Sequence, residues 1–449
     1  MSEDLPQSQT NPAPATLQAA ANEPALSTQP ASSNATGASS DSEDARALEQ
    51  TTPFLARTAE LLHRYGTPSY RLERVMQKVA ENIGVTATVL YTPTALVMSI
   101  RRGRCERTLL RRVTSGDVDV SKLLAFDQVL DQLASGQLAP DAALQQLEAA
   151  AEARPAFSAA VTTIAAGVAC GSVAVIFGGG LYEIVTATLL GLVIAGLSML
   201  SGPLSGESGL LEPVAGFSVA VLALLTAQYI VPLDDRLVTL AALILPVPGL
   251  TLTVALTELT LGHLSSGSAR LAGAGVRLIT LVMGVALAWN IMPDGMHPPG
   301  WAPYVVGRPI AEWSLWIALA LAPAAFGVLF RVPASQWPYV FLVSIGGFLT
   351  NQTLDASLAP AVGSFCGALV VGCGSNLYAR WKNRPAMTLQ TPGLLILVPG
   401  SLGYRSLTAL LESETIRGIE LAFAMVLAAG SLVGGLLVAN LCLPPKRIL

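Results

Sequence analysis

The chain has 449 residues, 52% hydrophobic and only 12% charged, where soluble domains carry roughly 25% charged residues. Mean hydropathy is +0.55, and from about residue 157 the sequence is a series of apolar runs near 20 residues long, the length a helix needs to cross a ~30 Å hydrocarbon core. A wholly soluble protein is excluded, and a net charge of −4 is too small to argue for or against any partner.

Residues 1–45 are rich in Ala, Ser, Thr, Pro, Gln and Asn and lack aromatics. Such a stretch cannot bury enough surface to offset chain entropy and reads as a disordered tail. It has no apolar core of the kind a cleavable signal peptide needs. Residues 46–154 read as a small α+β domain. Phe54, Leu55, Thr58, Leu61, Leu62 and Tyr65 share one helix face. Gly66 ends that helix, Ser69 is placed to cap the next, and Leu72, Val75, Met76, Val79 and Ile83 form its apolar face before Gly84 stops it. Val85, Ala87, Val89 and Tyr91 alternate, as do Leu96, Met98 and Ile100, which predicts two strands joined at Thr92-Pro93-Thr94. A third strand follows Arg102-Gly103, then helices over roughly 120–135 and 140–153.

Ten membrane spans are predicted, near 157–177, 181–200, 213–231, 236–259, 270–291, 312–330, 335–350, 357–378, 389–411 and 419–442. They divide into a first half (155–291), a loop (292–311) with Pro293, Trp301 and Tyr304 as an outer interfacial segment, and a second half (312–449). Arg154, Arg331, Arg380, Lys382, Arg384, Lys446 and Arg447 fall on one side, which the excess of basic residues marks as the cytoplasm. Both termini and the α+β domain are then inside.

Val247-Pro248-Gly249 and Val398-Pro399-Gly400 lie 151 residues apart, each within an apolar span. At the same offset Leu256-Thr257, Leu259 and Gly267 recur as Leu407-Thr408, Leu410 and Gly418. Five spans per half is an odd number, so the repeat is predicted to be inverted, with spans 4 and 9 broken at the same depth. Pro removes a backbone donor and Gly tolerates the conformations a break needs. The half-helices beginning at the breaks offer free N–H groups and a positive dipole end, suited to a substrate carboxylate. Pro248, Gly249, Thr251, Thr253, Pro399, Gly400 and Ser401 are therefore candidate substrate-binding residues.

Ionisable residues within spans are costly and point to function. Glu183, Glu212 and Glu258 are the candidates for proton coupling, though each stands near a span end where it is equally a solvated residue. Arg405, one turn past the second break, either faces the cavity or extends to the outer surface; Arg277 lies in span 5. Ser375 and Asn376 read as hydrogen-bonding groups between helices. Arg101–Arg112 holds six Arg, either a site for anionic lipid or a solvated strand face, without the aromatics of a nucleic-acid surface. The five cysteines show no metal spacing, no enzyme motif or nucleotide loop assembles, and no metal or cofactor is implied.

The segment Tyr65-Gly66-Thr67-Pro68-Ser69-Tyr70-Arg71-Leu72-Glu73, with Gly84 and Tyr91-Thr92-Pro93-Thr94, resembles the signature of the threonine/serine exporter family, and Leu397–Ser401 resembles its C-terminal portion. The resemblance covers residues ~50–442. It implies a cytoplasmic domain joined to ten spans in a bacterial inner membrane. It implies secondary export of small hydroxylated amino acids driven by proton motive force; a branch of the family is associated with succinate, so a dicarboxylate exporter is the alternative. The signature residues Gly66, Ser69, Tyr70, Arg71, Glu73, Thr92, Pro93 and Thr94 are read as structural, with Ser69 a cap and Arg71 and Glu73 on the exposed helix side. A membrane-anchored hydrolase working through Ser69 is the reading from a different class. The expected partners are the bilayer and a small-molecule substrate, with no nucleic acid.

Overall fold

A computed structural model describes residues 34–114, 116–200, 209–292, 310–397 and 399–445. The predicted outer loop, Val398 and the ends of the chain lie outside them, as does most of the predicted tail. Within that tail stretch, residues 34–45 instead begin helix α1, Asn34–Arg64. Ala35, Ala38, Glu43 and Ala45 favour helix there, and the side chain of Asp44 is fixed by an ion pair to Arg102 at 3.1 Å.

Gly66 turns the chain at φ +94°, where a side chain would also strike Val118. Helix α2, Ser69–Asn82, packs its Leu72, Val75, Met76 and Val79 face inward. Strands β1 (Thr86–Thr92), β2 (Ala95–Arg102) and β3 (Cys105–Arg112) form an antiparallel meander, with Val89 opposite Met98 and Tyr91 opposite Leu96. The predicted alternation holds, since Ala87, Val89, Tyr91, Leu96, Met98 and Ile100 are all buried. Helix α3 (Val120–Ala134) is capped by Asp119, whose carboxylate accepts from the Lys122 N–H at 3.1 Å. Helix α4 (Pro140–Glu152) begins with its proline in the first turn. Phe54, Leu62, Leu72, Met76, Met98 and Phe126 share one core.

The rest is helical: α5 (Ala159–Ile176), α6 (Leu181–Leu200), α7 (Leu211–Tyr229), α8 (Asp235–Ala242), α9 (Gly249–Thr260) and α10 (Leu264–Ile291). Then come α11 (Trp313–Leu329), α12 (Trp337–Ser357), α13 (Pro360–Lys382), α14 (Met387–Leu395), α15 (Gly400–Leu411) and α16 (Thr415–Cys442). Among the described residues seven helices are long and apolar enough to cross a membrane, α14 and α15 being taken as one. The chain is a polytopic α-helical membrane protein. Two further apolar helices, Gly249–Thr260 and Trp313–Leu329, fall short in length.

The two halves follow the same order. A short helix (8 or 9 residues), a turn and a 12-residue helix are followed each time by a 28-residue helix. Helix α10 packs on α7 and α9, and α16 packs on α13 and α15. Across the halves α9 meets α16, and α10 meets α15. Small residues set the long contacts, Gly216 and Gly284 between α7 and α10, Gly372 and Gly435 between α13 and α16. Asn376 donates to Asn440 of α16 at 2.9 Å, as expected of an interhelix polar group, whereas Ser375 bonds only the Val371 carbonyl of its own helix.

Candidate functional site

The two Pro-Gly phrases begin half-helices and meet each other. Pro248 and Pro399 stand at the N-caps of α9 and α15 with φ −79° in both, and neither cap is closed by a side chain. A Cβ placed on Gly400 would lie 2.7 Å from Val247 Cγ1 and 3.1 Å from the Gly249 Cα. The breaks therefore cross in backbone contact, which only glycine permits here. Thr251 and Ser401 are half-buried beside them, and the Thr253 hydroxyl donates to the Gly249 carbonyl at 3.2 Å.

A cavity of about 70 Å³ lies beside α9 and α14, and the N-terminal unit lines one part of it. Its wall is Leu250, Thr253, Val254 and Thr257 on α9 with Met387, Gln390, Thr391 and Leu394 on α14. Gly66, Pro68, Tyr70 and Arg71 complete it from the signature segment. Of the substrate-binding residues expected from sequence, Thr253 lines this space; Gly249 and Gly400 make the contact next to it, and Pro248, Thr251, Pro399 and Ser401 stand on the same two turns. Arg405 is in neither group. It is exposed, with its guanidinium 5.1 Å from the centre of the Phe177 ring.

The signature segment departs most from its sequence reading. Ser69 does not cap α2: position 68 is the cap residue, and no side chain serves it. The Ser69 backbone N–H instead donates to Glu258 Oε1 at 2.9 Å. Arg71 and Glu73 do not face solvent. Arg71 is buried and donates to Gln390 Oε1 at 2.6 Å, and Glu73 meets His263 Nδ1 at 3.3 Å. The α2 helix is covered on two sides, by its own sheet and by the membrane helices; a single apolar face could reveal only the first. Tyr70 lies near His263, ring centres 6.5 Å apart.

The three carboxylates have distinct surroundings. Glu258 is fully buried, accepts from Ser266 Oγ at 2.9 Å and pairs with Arg270 at 3.1 Å. Arg270 also reaches the Tyr91 hydroxyl at 3.4 Å, and Tyr91 touches His63. The Thr92-Pro93-Thr94 turn closes the chain, since His63 hydrogen-bonds the Pro93 backbone and Thr92 Oγ1 accepts from the Ala95 N–H at 3.0 Å. Glu212 pairs with Arg277 at 3.6 Å. Glu183 is buried within the protein; one oxygen accepts from the Asp234 N–H at 3.1 Å and the other has no partner among the described residues. In the N-terminal unit, burial and then the nearby Arg270 push His63 down to about 4, burial pushes Tyr91 well up, and burial raises Glu73 against the pull of His263. No group of described His, Cys, Asp and Glu is placed to hold a metal ion.

A family model described as "Putative threonine/serine exporter" matches residues 53–292, and a second, "Threonine/Serine exporter, ThrE", matches 315–442. The "Probable threonine/serine exporter" of Mycobacterium tuberculosis is 24% identical over 409 residues, 87% of this chain and 77% of that protein. The "Threonine/serine exporter" of Corynebacterium glutamicum is 23% identical over 344 residues, 74% of this chain and 70% of that protein. An uncharacterized protein of Schizosaccharomyces pombe is 21% identical over 375 residues, 78% of this chain but 43% of that protein, so this chain spans less than half of that relative. No solved structure matches.

Proposed function

The chain belongs to the threonine/serine exporter family, and we propose that it is a secondary exporter of small hydroxylated amino acids that binds its substrate beside the touching breaks of spans 4 and 9, before α9 and α15. The observation that carries this reading is the backbone contact between Gly400 and Gly249, directly beside a cavity lined by threonines. Paired broken helices at one depth are the sequence and structural mark of transporter sites. Unsatisfied backbone is tolerated in a bilayer only where protein or a water-filled space surrounds it.

We read α8–α9 and α14–α15 as single broken spans, giving ten in all as a 5+5 inverted repeat. Three contacts support one side for alternate helix ends. Glu258 and Arg270 at the α9–α10 end, Arg331 after α11 and Met387 at the start of α14 all touch the N-terminal unit. Arg236 at the start of α8 pairs with Glu412 after α15 at 2.9 Å, away from it. In this reading the excess of basic residues in the loops on that side makes it the cytoplasmic one, with the N-terminal unit and both termini. Proton motive force is the energy source in this reading, with Glu183 as the coupling group. Among the three candidates it alone can change protonation without breaking an ion pair, because Glu212 and Glu258 have arginine partners.

Neither alternative gains a contact from the residues it named. For a dicarboxylate the cations expected from sequence are engaged elsewhere, Arg405 on Phe177 and Arg277 on Glu212. A hydrolase would need an activated serine, but Ser69 Oγ has no partner among the described residues and His63 is engaged with Tyr91. The test is efflux of labelled threonine from loaded proteoliposomes, with labelled succinate in parallel, with and without an imposed proton gradient. Gradient-dependent threonine efflux that falls sharply in Glu183→Gln supports the reading; succinate efflux alone, or movement of neither, rejects it.

A further inference from the structure

We propose that Arg71, on the N-terminal unit, is the residue that binds the substrate carboxylate, so that the site is shared between that unit and the two broken helices. The inference deepens the exporter reading and rests on it. Arg71 is about nine-tenths buried and lines the cavity beside the crossing. Among the described residues its one polar side-chain contact is the neutral Gln390 amide oxygen, at 2.6 Å, with the Tyr70 ring centre 5.7 Å from its guanidinium carbon. Among the described residues no carboxylate lies within 4 Å of it, because Glu258 is held by Arg270 and Glu73 by His263. A buried guanidinium without an anion is costly, and the planar fork it presents matches a carboxylate. The other polar groups suit the rest of an amino acid. The Thr257 hydroxyl donates to the Thr253 carbonyl at 2.8 Å and the Thr253 hydroxyl to Gly249, so both turn oxygen lone pairs to acceptor duty, open to an ammonium or a substrate hydroxyl.

Substrate enters this cavity, of about 70 Å³, as the Gly66–Arg71 segment draws away from Gln390. The carboxylate then replaces the Gln390 oxygen at the guanidinium. Carboxylate recognition is in this way tied to the docking of the N-terminal unit, which explains why a transporter carries a basic residue on a domain outside its helix bundle.

The experiment compares full-length wild type, Arg71→Gln, Arg71→Lys and Gln390→Leu in proteoliposomes and by thermal shift of purified protein. The probes are L-threonine and L-threoninol, which lacks the carboxylate. Wild type is expected to take threonine and discriminate against threoninol. Arg71→Gln is expected to raise the threonine KM roughly 10- to 100-fold, the worth of a charge-assisted contact, and to erase the discrimination and the threonine-induced Tm rise. Arg71→Lys should restore part of both. Gln390→Leu should keep the discrimination, since it removes a latch and leaves the cation. If Arg71→Gln and Gln390→Leu behave alike, with discrimination intact, Arg71 is a latch and the proposal is overturned while the exporter reading stands. If wild type itself neither binds nor moves threonine, the exporter reading fails and takes this one with it.

Discussion

His63 shows how one residue reports the state of its surroundings. It is buried against Tyr91 and 4.8 Å from that ring, and its ionisation is pushed down to about 4 by burial and by Arg270. A depressed histidine adds stability that is present above its unfolded value near 6.5 and is lost as pH falls through the window from 6.5 toward 4. At about 1.4 kcal/mol per pH unit this is worth up to roughly 3 kcal/mol. Thermal unfolding should therefore fall steadily from pH 7 to pH 4.5, and His63→Gln should flatten that part of the profile; an unchanged slope in the variant would show that other groups carry it. Neither this role nor that of Arg71 was legible in the sequence. A histidine in a helix with Leu61 and Leu62 beside it reads as core, and its partners come from 28 and more than 200 positions further on.

At the scale of elements much more could be read. The period-2 and helical patterns placed the three strands and helices α2 to α4 within a few residues, because each turns an apolar face to the core of the N-terminal unit, whereas the first helix begins at Asn34 inside the stretch read as a tail. The helix starts after Pro248 and Pro399 were legible from Pro-Gly for a backbone reason. What periodicity could not give is that the two breaks touch, since that depends on how α9 and α15 pack. The contact makes a sharp prediction. Gly400→Ala adds a methyl 2.7 Å from Val247 and 3.1 Å from the Gly249 backbone, which should cost about 1–3 kcal/mol of stability by overpacking. It should lower transport at least tenfold by prising the half-helices apart. Gly273→Ala in α10 meets nothing within 4 Å and should leave stability unchanged or slightly improved by helix propensity. Equal losses in both variants, measured by Tm and initial efflux rate, would show that the crossing is not special.

At the scale of the whole molecule the N-terminal unit and the helices are one folded object. Asp119, fully buried, both caps α3 and pairs with Arg331 at 2.9 Å; the Val120 N–H reaches the Phe330 carbonyl at 3.0 Å; Met387 enters the N-terminal core. Glu258 is the most connected of these ties, because it joins α9, α10 and the first turn of α2. The sequence marked it as an ionisable residue at a span end, and only the docked unit turns it into a buried one. Its removal is therefore a test of coupling between the two parts. Glu258→Ala leaves the partly buried Arg270 without its carboxylate, which costs up to about 3–5 kcal/mol, the loss for a fully buried pair. It also frees the Ser69 N–H, so amide exchange over residues 66–73 should quicken much more than exchange over 120–134, where Asp119 still holds. Glu258→Ala combined with Arg270→Met removes both charges and should recover much of the Tm while Ser69 exchange stays fast. If exchange at 66–73 is unchanged in Glu258→Ala, the signature segment is held by its own unit and its closure of the cavity is not governed by this carboxylate.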